Sequence, residues 1–298
     1  MRRGLLIGAT MAAIMIAASL FLMSGCGEKA KDTIIAPTSI NFITDYNSAL
    51  QAAQQKGQKI VVDFYTDWCT WCKRLDTVTY VDSTVIALSG GLVFAKINAE
   101  VDTATADKYS VSGYPTIVLM NSDGTEIDRI GGYLPPKEFV ETINNYLLDK
   151  ETLNDYLRRA QANPTTEVDF ILGQKYADRG MTDTATMYYE KVIAVDPDIK
   201  DTLAADAMLS IGDLLLRAKT YDKAIERFKI VIDKFGGTDR ASDAELWSGH
   251  AYRKMGDTST AIAVYEQFLK NHPTREDSTQ IKELINKLKN PPPPDSTK

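Results

Sequence analysis

Two cysteines three positions apart are the residues of this chain whose type and spacing best suit chemistry. Cys69 and Cys72 follow an apolar, β-branched run at 60–65 that predicts a buried strand, and a helix-compatible stretch follows them. Thiols at this spacing on the first turn of a helix can bridge with little backbone movement. The unpaired N–H groups and dipole at the helix N-terminus stabilise a thiolate at Cys69, the species that attacks in disulfide exchange. We therefore predict that Cys69 attacks and Cys72 resolves the mixed disulfide.

The two competing interpretations of this pair are half of a metal site and two inert thiols. A zinc site needs about two further ligands, and the sequence from 40 to 150 contains no other cysteine or histidine. The whole chain has 3 cysteines and 2 histidines, which argues against a disulfide scaffold and a structural zinc site. The prediction is redox chemistry at the pair itself, with no organic cofactor and no metal.

The elements that must position the pair alternate between strand and helix patterns. Strand patterns lie at 60–65, 92–97, 116–120 and 126–130, and helical patterns lie at 45–56, 103–109 and 136–148. A turn at 121–124 separates the last two strands. Strands alternating with helices, then a hairpin and a closing helix, predict an α/β sheet domain over residues 40–150.

Two motifs in this domain resemble those of the thioredoxin superfamily. They are Trp68-Cys69-Thr70-Trp71-Cys72-Lys73 and, at the start of a later strand, Gly113-Tyr114-Pro115-Thr116. The Thr70-Trp71 dipeptide departs from the Gly-Pro of thioredoxin itself and is more similar to extracytoplasmic thioredoxin-like reductases. The resemblance implies that a cis Tyr114-Pro115 loop faces the cysteines and offers backbone groups to a substrate chain, and that Gly131-Gly132 bends near the site. An ordinary trans proline at a strand start is the alternative.

Four further side chains have expected roles: the resemblance implies those of Asp63 and Lys96, and position beside the cysteines suggests substrate contact for Trp68 and Trp71. Asp63 lies in the middle of the apolar strand, where burial should raise its pKa, and it corresponds to the proton acceptor for the resolving cysteine. Lys96 matches the lysine that pairs with that carboxylate, with a structural ion pair as the alternative for both residues. Trp68 is expected to pack beside the site. Trp71 is expected to be exposed and to contact substrate, unless its ring simply faces solvent.

The remainder of the chain, 151–290, has an all-α pattern built from a repeat. Each of three units has a glycine, an alanine twelve residues later, an aromatic four further on and a helix breaker eight beyond that. The glycine permits close approach of paired helices, the alanine lies where they cross, and the aromatic fills the gap to the next unit. The units are Gly173, Ala185, Tyr189 and Pro197; Gly212, Ala224, Phe228 and Gly236; and Gly249, Ala261, Tyr265 and Pro273.

This pattern resembles tetratricopeptide repeats, and 281–288 is the expected capping helix. The fold class is therefore an α/β thioredoxin-like domain followed by an all-α tetratricopeptide-repeat domain. The resemblance implies a concave face that binds extended peptides or partner proteins, although many such arrays only extend a scaffold. The family's groove positions correspond to Phe170, Gln174, Leu209, Asp213, Leu246, His250 and Arg253, of which His250 has a packed or surface histidine as its alternative.

The N-terminal segment has the features of an export signal. Arg2 and Arg3 precede an apolar run at 5–23, and Ser24-Gly25-Cys26 follow it. Small residues before a cysteine at the end of such a run resemble the bacterial lipoprotein signal, which implies removal of 1–25 and a lipid on Cys26. An uncleaved transmembrane anchor and plain secretion are the alternatives. We expect a tether at 26–39, a disordered tail at 291–298 and a body lipid-anchored outside the cytoplasm, on the periplasmic side or at the cell surface.

These features together predict a membrane-tethered thiol–disulfide oxidoreductase, with the reductase direction favoured. Its partners would be protein thiols and disulfides and a separate protein that donates or accepts electrons, with the repeats recruiting the client or redox partner. The net charge of −6 provides no broad basic field for nucleic acid. The alternatives are a non-catalytic surface adaptor that binds proteins through the repeats, and a holdase chaperone that uses both domains.

Overall fold

The computed structural model of the chain describes residues 37–275 and 277–291. The predicted signal, Cys26 with most of the tether, and 292–298 of the predicted tail lie outside the described residues. None of the helices within 37–275 and 277–291 combines the length and apolar character needed to cross a membrane.

The first domain is a five-stranded sheet with helices on both faces. Strands β1, β3 and β2 are parallel, β4 and β5 are antiparallel to their neighbours, and the order is β1-β3-β2-β4-β5. The elements are β1 (Phe42–Ile43), α1 (Tyr46–Lys56), β2 (Lys59–Tyr65), α2 (Thr70–Arg74), α3 (Ser83–Leu88), β3 (Leu92–Asn98), α4 (Thr103–Lys108), β4 (Thr116–Met120), β5 (Glu126–Gly131) and α5 (Pro136–Leu147). All four predicted strands and all three predicted flanking helices are confirmed, whereas β1 and α3 were not predicted.

The side chains along β2 alternate between the two faces of the sheet. Ile60, Val62 and Phe64 lie in the hydrophobic cluster that includes residues of α1 and α4. Val61 lies in the opposite cluster, with Leu75 and Tyr80 from the segment that follows the cysteine pair. Because successive strand residues point to opposite faces, Asp63 shares the face of Val61. The buried carboxylate is therefore on the side of the sheet covered by the helix that carries Cys72.

The second part of the described chain is helical, which confirms the predicted fold class. Its helices are α6 (Leu153–Ala162), α7 (Thr166–Ala177), α8 (Thr182–Val195), α9 (Thr202–Arg217), α10 (Tyr221–Lys234), α11 (Asp239–Met255), α12 (Thr258–Asn271) and α13 (Ser278–Lys289). The repeat units correspond to the helix pairs α7/α8, α9/α10 and α11/α12. Helix α13 contains the predicted capping segment, and α6, which was not predicted, connects the two domains.

The glycine and aromatic of each repeat are packed directly against each other. A Cβ atom on Gly212 would lie 2.3 Å from the Phe228 ring, closer than carbon atoms can approach. Phe228 also clusters with Ala244 of the following repeat, so the expectation that the aromatic reaches the next unit is confirmed. The other two repeats have the same contact, at 2.5 Å for Gly173 with Tyr189 and for Gly249 with Tyr265.

A buried carboxylate joins the sheet to the first repeat. Asp128 in β5 is fully buried and accepts hydrogen bonds from Lys175 Nζ and Arg179 Nη2, each at 2.7 Å. It also accepts the backbone N–H of Leu153 at 2.6 Å. A buried charge is tolerated only when it is paired and hydrogen-bonded, so these contacts hold α7 against β5. Sequence analysis did not identify Asp128, because its partners are distant along the chain.

Candidate active site

The two cysteines form a disulfide at the start of α2, with Cα atoms 5.3 Å apart. Cys69 is the N-cap residue of this helix, and its Sγ accepts the backbone N–H of Cys72 at 3.0 Å. Cys69 is 4% exposed and Cys72 is 1% exposed. The same N–H and the helix N-terminus are positioned to stabilise a thiolate on Cys69 once the pair is reduced. The predicted disulfide is thus present, and Cys69, the predicted attacker, is the slightly more exposed of the two residues.

The Tyr114-Pro115 loop lies at the same edge of the sheet as the cysteines. Strand pairing places Thr116, at the start of β4, opposite Phe64, near the end of β2. The Tyr114-Pro115 bond is cis, as predicted. The Pro115 carbonyl accepts the N–H of Gly132 at 2.8 Å, so the predicted glycine bend lies beside this loop. The role of the loop in holding substrate remains a prediction.

The two tryptophans flank the disulfide with exposed rings. Trp68 is 65% exposed, although its indole N–H donates to Glu100 at 2.8 Å and its ring lies 5.9 Å from that of Tyr114. The contact with Tyr114 places the Trp68 ring beside the site loop, as expected, although most of the residue is exposed. Trp71 is 58% exposed, as expected, and lies 5.5 Å from the Tyr133 ring.

Asp63 is fully buried, and neither of its carboxylate oxygens has a hydrogen-bond partner among the described residues. Burial raises the pKa of Asp63 from 3.8 to about 7 because the charged form loses its hydration; Lys96 lowers this pKa and Asp76 raises it. The buried Tyr80 hydroxyl also lowers the pKa of Asp63, although no hydrogen bond joins the two groups in the described structure. A carboxyl with a pKa near neutrality can both accept and release a proton.

Lys96 does not make the ion pair that the resemblance implied. It lies opposite Asp63 in the pairing of β2 with β3, but its ammonium forms a salt bridge with Asp76. The ammonium also lies 4.8 Å from the centre of the Tyr65 ring. Asp76 follows Cys72 by one helical turn, and only the tertiary fold brings it to Lys96. Sequence analysis missed Asp76 because nothing in the local pattern distinguishes it from a solvated helix residue.

Of the seven predicted groove residues, Gln174 and Asp213 line one common cavity. Asp213 forms a salt bridge with Arg217 at 2.7 Å. Three of the other five are partly buried and pack against hydrophobic clusters; these are Phe170, Leu209 and Leu246.

His250 and Arg253 lie further along the array. His250 Nδ1 and the Tyr265 hydroxyl are 2.8 Å apart, and burial lowers the pKa of His250 to about 4. This is the packed histidine that was the alternative interpretation. The Nε of Arg253 is buried without a hydrogen-bond partner among the described residues. These two residues are thus placed by packing within the third repeat.

Asp178 is a residue near the site that sequence analysis missed. It follows α7, and its carboxylate approaches the end of β5 so closely that a Cβ on Gly131 would lie 2.9 Å from Oδ1. Gly131 pairs with Thr116, the residue after Pro115. The repeats therefore reach the loop that borders the active site. Within the described residues, no cluster of three or more histidine, cysteine or acidic side chains could hold a metal ion.

Comparisons with known proteins identify both domains. The family model described as a thioredoxin-like domain matches residues 46–147, and the tetratricopeptide-repeat model matches 206–238 and 243–275. The repeat model thus covers the second and third predicted units. Domains of the first kind use a redox-active disulfide without a further cofactor, the role that Cys69 and Cys72 can fill.

Two curated relatives each match about a third of this chain. A thiol:disulfide interchange protein DsbD from Pseudoalteromonas atlantica is 31% identical over 111 residues, which cover 35% of this chain and 19% of that protein. DsbD from Salmonella typhimurium is 33% identical over 108 residues, or 34% of this chain and 19% of that protein. The chain thus spans 19% of the length of these relatives. Among solved structures, a DsbH oxidoreductase is 21% identical with a TM-score of 0.35, covering 41% of this chain and 94% of that chain.

Proposed function

We propose that this chain, in which a thioredoxin-like domain precedes tetratricopeptide repeats, is an extracytoplasmic thiol–disulfide oxidoreductase that reduces protein disulfides. The observation that carries the proposal is the Cys69–Cys72 disulfide at a helix N-terminus, with Cys69 Sγ accepting the N–H of Cys72. The relatives named as thiol:disulfide interchange proteins support the same chemistry.

The first step is attack of the reduced protein on a substrate disulfide. The Cys69 thiolate forms a bond to one substrate sulfur, the substrate S–S bond breaks, and the other substrate sulfur leaves as a thiolate that takes up a proton. The Cys72 N–H and the N-terminus of α2 favour the thiolate form of Cys69. The product of this step is a mixed disulfide between Cys69 and the substrate.

The second step releases the substrate and regenerates the disulfide seen in the structure. Cys72 loses its proton and attacks Cys69 Sγ, and the bond from Cys69 to the substrate breaks, which frees the second substrate thiol. We assign Asp63 as the acceptor of the Cys72 proton, since it lies on the sheet face covered by α2 and burial raises its pKa to about 7. Lys96 and Asp76 act on Asp63 through their charges, as positioning residues.

Each turnover moves two electrons from the cysteine pair to the substrate, so the pair must then be reduced again. Two electrons and two protons have to come from a second dithiol, because thiol–disulfide exchange conserves the number of disulfides. We propose that a separate dithiol protein supplies them. The exposed rings of Trp68 and Trp71, on either side of the disulfide, offer contact area to both this donor and the substrate.

The N-terminal residues suggest that the protein works at a membrane surface. The small residues before Cys26 and the apolar run at 5–23 support a lipid on Cys26. Metabolic labelling with a fatty acid tests this, with Cys26→Ser as the comparison. Label that is lost in the variant supports the anchor, and equal label in both proteins contradicts it.

The function itself is tested by trapping the intermediate. Cys72→Ala is expected to accumulate a mixed disulfide with a disulfide-bearing substrate, because nothing resolves it, while Cys69→Ala accumulates none. Mass spectrometry without reductant measures both. The reverse pattern would exchange the assigned roles, and a wild-type protein without exchange activity would favour a protein-binding adaptor.

The direction of electron flow is given by the reduction potential of the pair. The fluorescence of Trp68 and Trp71 can report the dithiol transition against a series of thiol buffers. A potential of about −270 mV supports a reductase, and one of about −120 mV would indicate an oxidant that introduces disulfides.

A further inference from the structure

A cavity of about 260 Å³ lies between the active-site loop and the repeats. The loop lines it with Tyr114 and Pro115, and the repeats line it with Asp178 and Arg217. The wall of this cavity thus comes from both domains, at the loop where the proposed function places the substrate chain.

A second cavity, of about 360 Å³, continues from the first into the repeats. Gly131, Asp178 and Arg217 line both cavities. Beyond them, Gln174 from α7 and Asp213 from α9 line the second one. The shared residues make the two cavities one groove, which runs from the Tyr114-Pro115 loop along the facing sides of α7 and α9.

The last repeat also shares a cavity with a residue of the cysteine motif. A cavity of about 560 Å³ is lined by Trp71, the residue before Cys72, together with Asp239, Asp243 and Arg275 from the last repeat. Trp71 thus shares a cavity with the last repeat, as the Tyr114-Pro115 loop shares one with Asp178 and Arg217.

Hydrogen bonds between β5 and the first repeat hold the groove in place, but they do not involve the carboxylate of Asp178. Arg129 donates to the carbonyl of Asp178 at 2.9 Å, and Asp128 binds α7 through Lys175 and Arg179. The carboxylate of Asp178, in contrast, accepts no hydrogen bond from any residue in 37–275 or 277–291. It lies where the two cavities meet, as an acceptor without a donor from the described residues.

The chemistry of the groove fits a polypeptide backbone. Arg217 is already paired with Asp213, and Asp128 and Glu126 face Lys175 and Arg179, so the charges near the groove are largely balanced. A strongly charged ligand gains little in such surroundings. An extended peptide offers N–H groups for the Asp178 carboxylate and carbonyl groups for donors such as the Gln174 amide and the free N–H groups of Arg217.

We propose that this groove binds an extended segment of the protein substrate that flanks its disulfide, so that the repeats supply half of the substrate-binding site. The inference rests on the proposed function and adds the substrate class, a disulfide in an unfolded or extended segment. The repeats then favour substrates in which the segment around the disulfide is extended and accessible, in addition to recognising particular client proteins.

The test compares two disulfide probes on the full chain. One probe is oxidised glutathione, and the other is an extended synthetic peptide in mixed disulfide with glutathione. The measured quantity is the ratio of kcat/KM for the peptide to kcat/KM for oxidised glutathione. Loss of one hydrogen bond to a charged group should lower this ratio about tenfold in Asp178→Asn and in Arg217→Gln. Arg158→Gln is the matched control, because Arg158 is also 56% exposed and paired with an aspartate but lies outside the groove.

A second readout does not depend on activity. In Cys72→Ala, the trapped peptide should slow amide hydrogen exchange in segments 174–178 and 210–217, compared with the same variant trapped with glutathione. An active wild-type protein whose ratio is unchanged by both groove variants, or unchanged exchange in both segments, overturns the groove alone. A wild-type protein that reduces neither probe overturns the proposed function and this inference with it.

Discussion

Asp63 and Lys96 lie opposite each other in the parallel pairing of β2 and β3, yet no hydrogen bond joins their side chains in the described structure. The Lys96 ammonium is held by Asp76 instead. Asp63 is therefore buried without an ion-pair partner, and its pKa is influenced by the charges of Lys96 and Asp76 and by the Tyr80 hydroxyl. Burial outweighs the attraction of Lys96, and the pKa of Asp63 lies at about 7.

Removing Asp76 should make Asp63 more acidic. The Asp76 carboxylate raises the pKa of Asp63 by direct repulsion, and it also holds the Lys96 ammonium. In Asp76→Asn we expect the pKa of Asp63 to fall, and the pH dependence of the resolving step to shift to lower pH. Stopped-flow measurement of mixed-disulfide resolution across pH checks this.

The matched control for that prediction is Asp107→Asn, which removes an exposed carboxylate of α4. It should leave the pH profile in place. If the pH profile shifts equally in both variants, then net charge, and not the position of Asp76, determines the pH dependence of the resolving step.

Replacing Asp63 by asparagine should stabilise the oxidised protein at alkaline pH. A carboxyl whose pKa is raised from 3.8 to about 7 on folding makes the folded state less stable as pH rises through this range. At about pH 8 the variant should gain up to about 4 kcal/mol in the free energy of unfolding, and below about pH 4 the two proteins should be similar. Urea unfolding at both pH values measures this. Equal stability at alkaline pH would show that Asp63 is not desolvated as described.

Breaking the buried ion pairs of Asp128, the joint between the two domains, should lower the free energy of unfolding far more than breaking a surface ion pair. Lys175→Met removes a partner of the fully buried Asp128, with an expected loss of about 3 kcal/mol in the free energy of unfolding. Lys200→Met is the control, since Lys200 is 79% exposed and its pair with Asp198 should contribute less than about 1 kcal/mol. Urea unfolding of both variants tests the difference, and equal losses would contradict a structural role for the joint.

The glycine of each repeat should tolerate no side chain, because it contacts the aromatic ring of the paired helix directly. In Gly212→Ala the added Cβ would meet the Phe228 ring at 2.3 Å, and the expected destabilisation is about 1–3 kcal/mol. Gly236→Ala is the matched control, because its nearest neighbour, the Ile232 carbonyl, is at an ordinary 3.5 Å. Thermal unfolding followed by circular dichroism compares the two. A Gly236→Ala variant that is equally destabilised would rule out the ring contact as the cause.

Local patterns sufficed to predict most of the secondary structure and the reactive pair. The apolar runs of β2, β3 and β4 and the spacing of Cys69 and Cys72 carry their information within a few residues. The repeat was also readable, because its glycine and aromatic contact each other within one helix pair. Elements with weak patterns, such as the two-residue β1 and the helix α6, were not predicted.

The redox chemistry of this protein can be predicted from local spacing, because its disulfide joins neighbours within one helical turn. The folded structure is needed to show that Lys96 binds Asp76, that Asp178 reaches the Tyr114-Pro115 loop and that Asp128 anchors the repeats. These contacts join residues far apart along the chain, and their partners are chosen by burial and strand register. The electrostatic setting of Asp63 therefore emerges only in the folded first domain, and the groove beside the active site only when both domains are folded together.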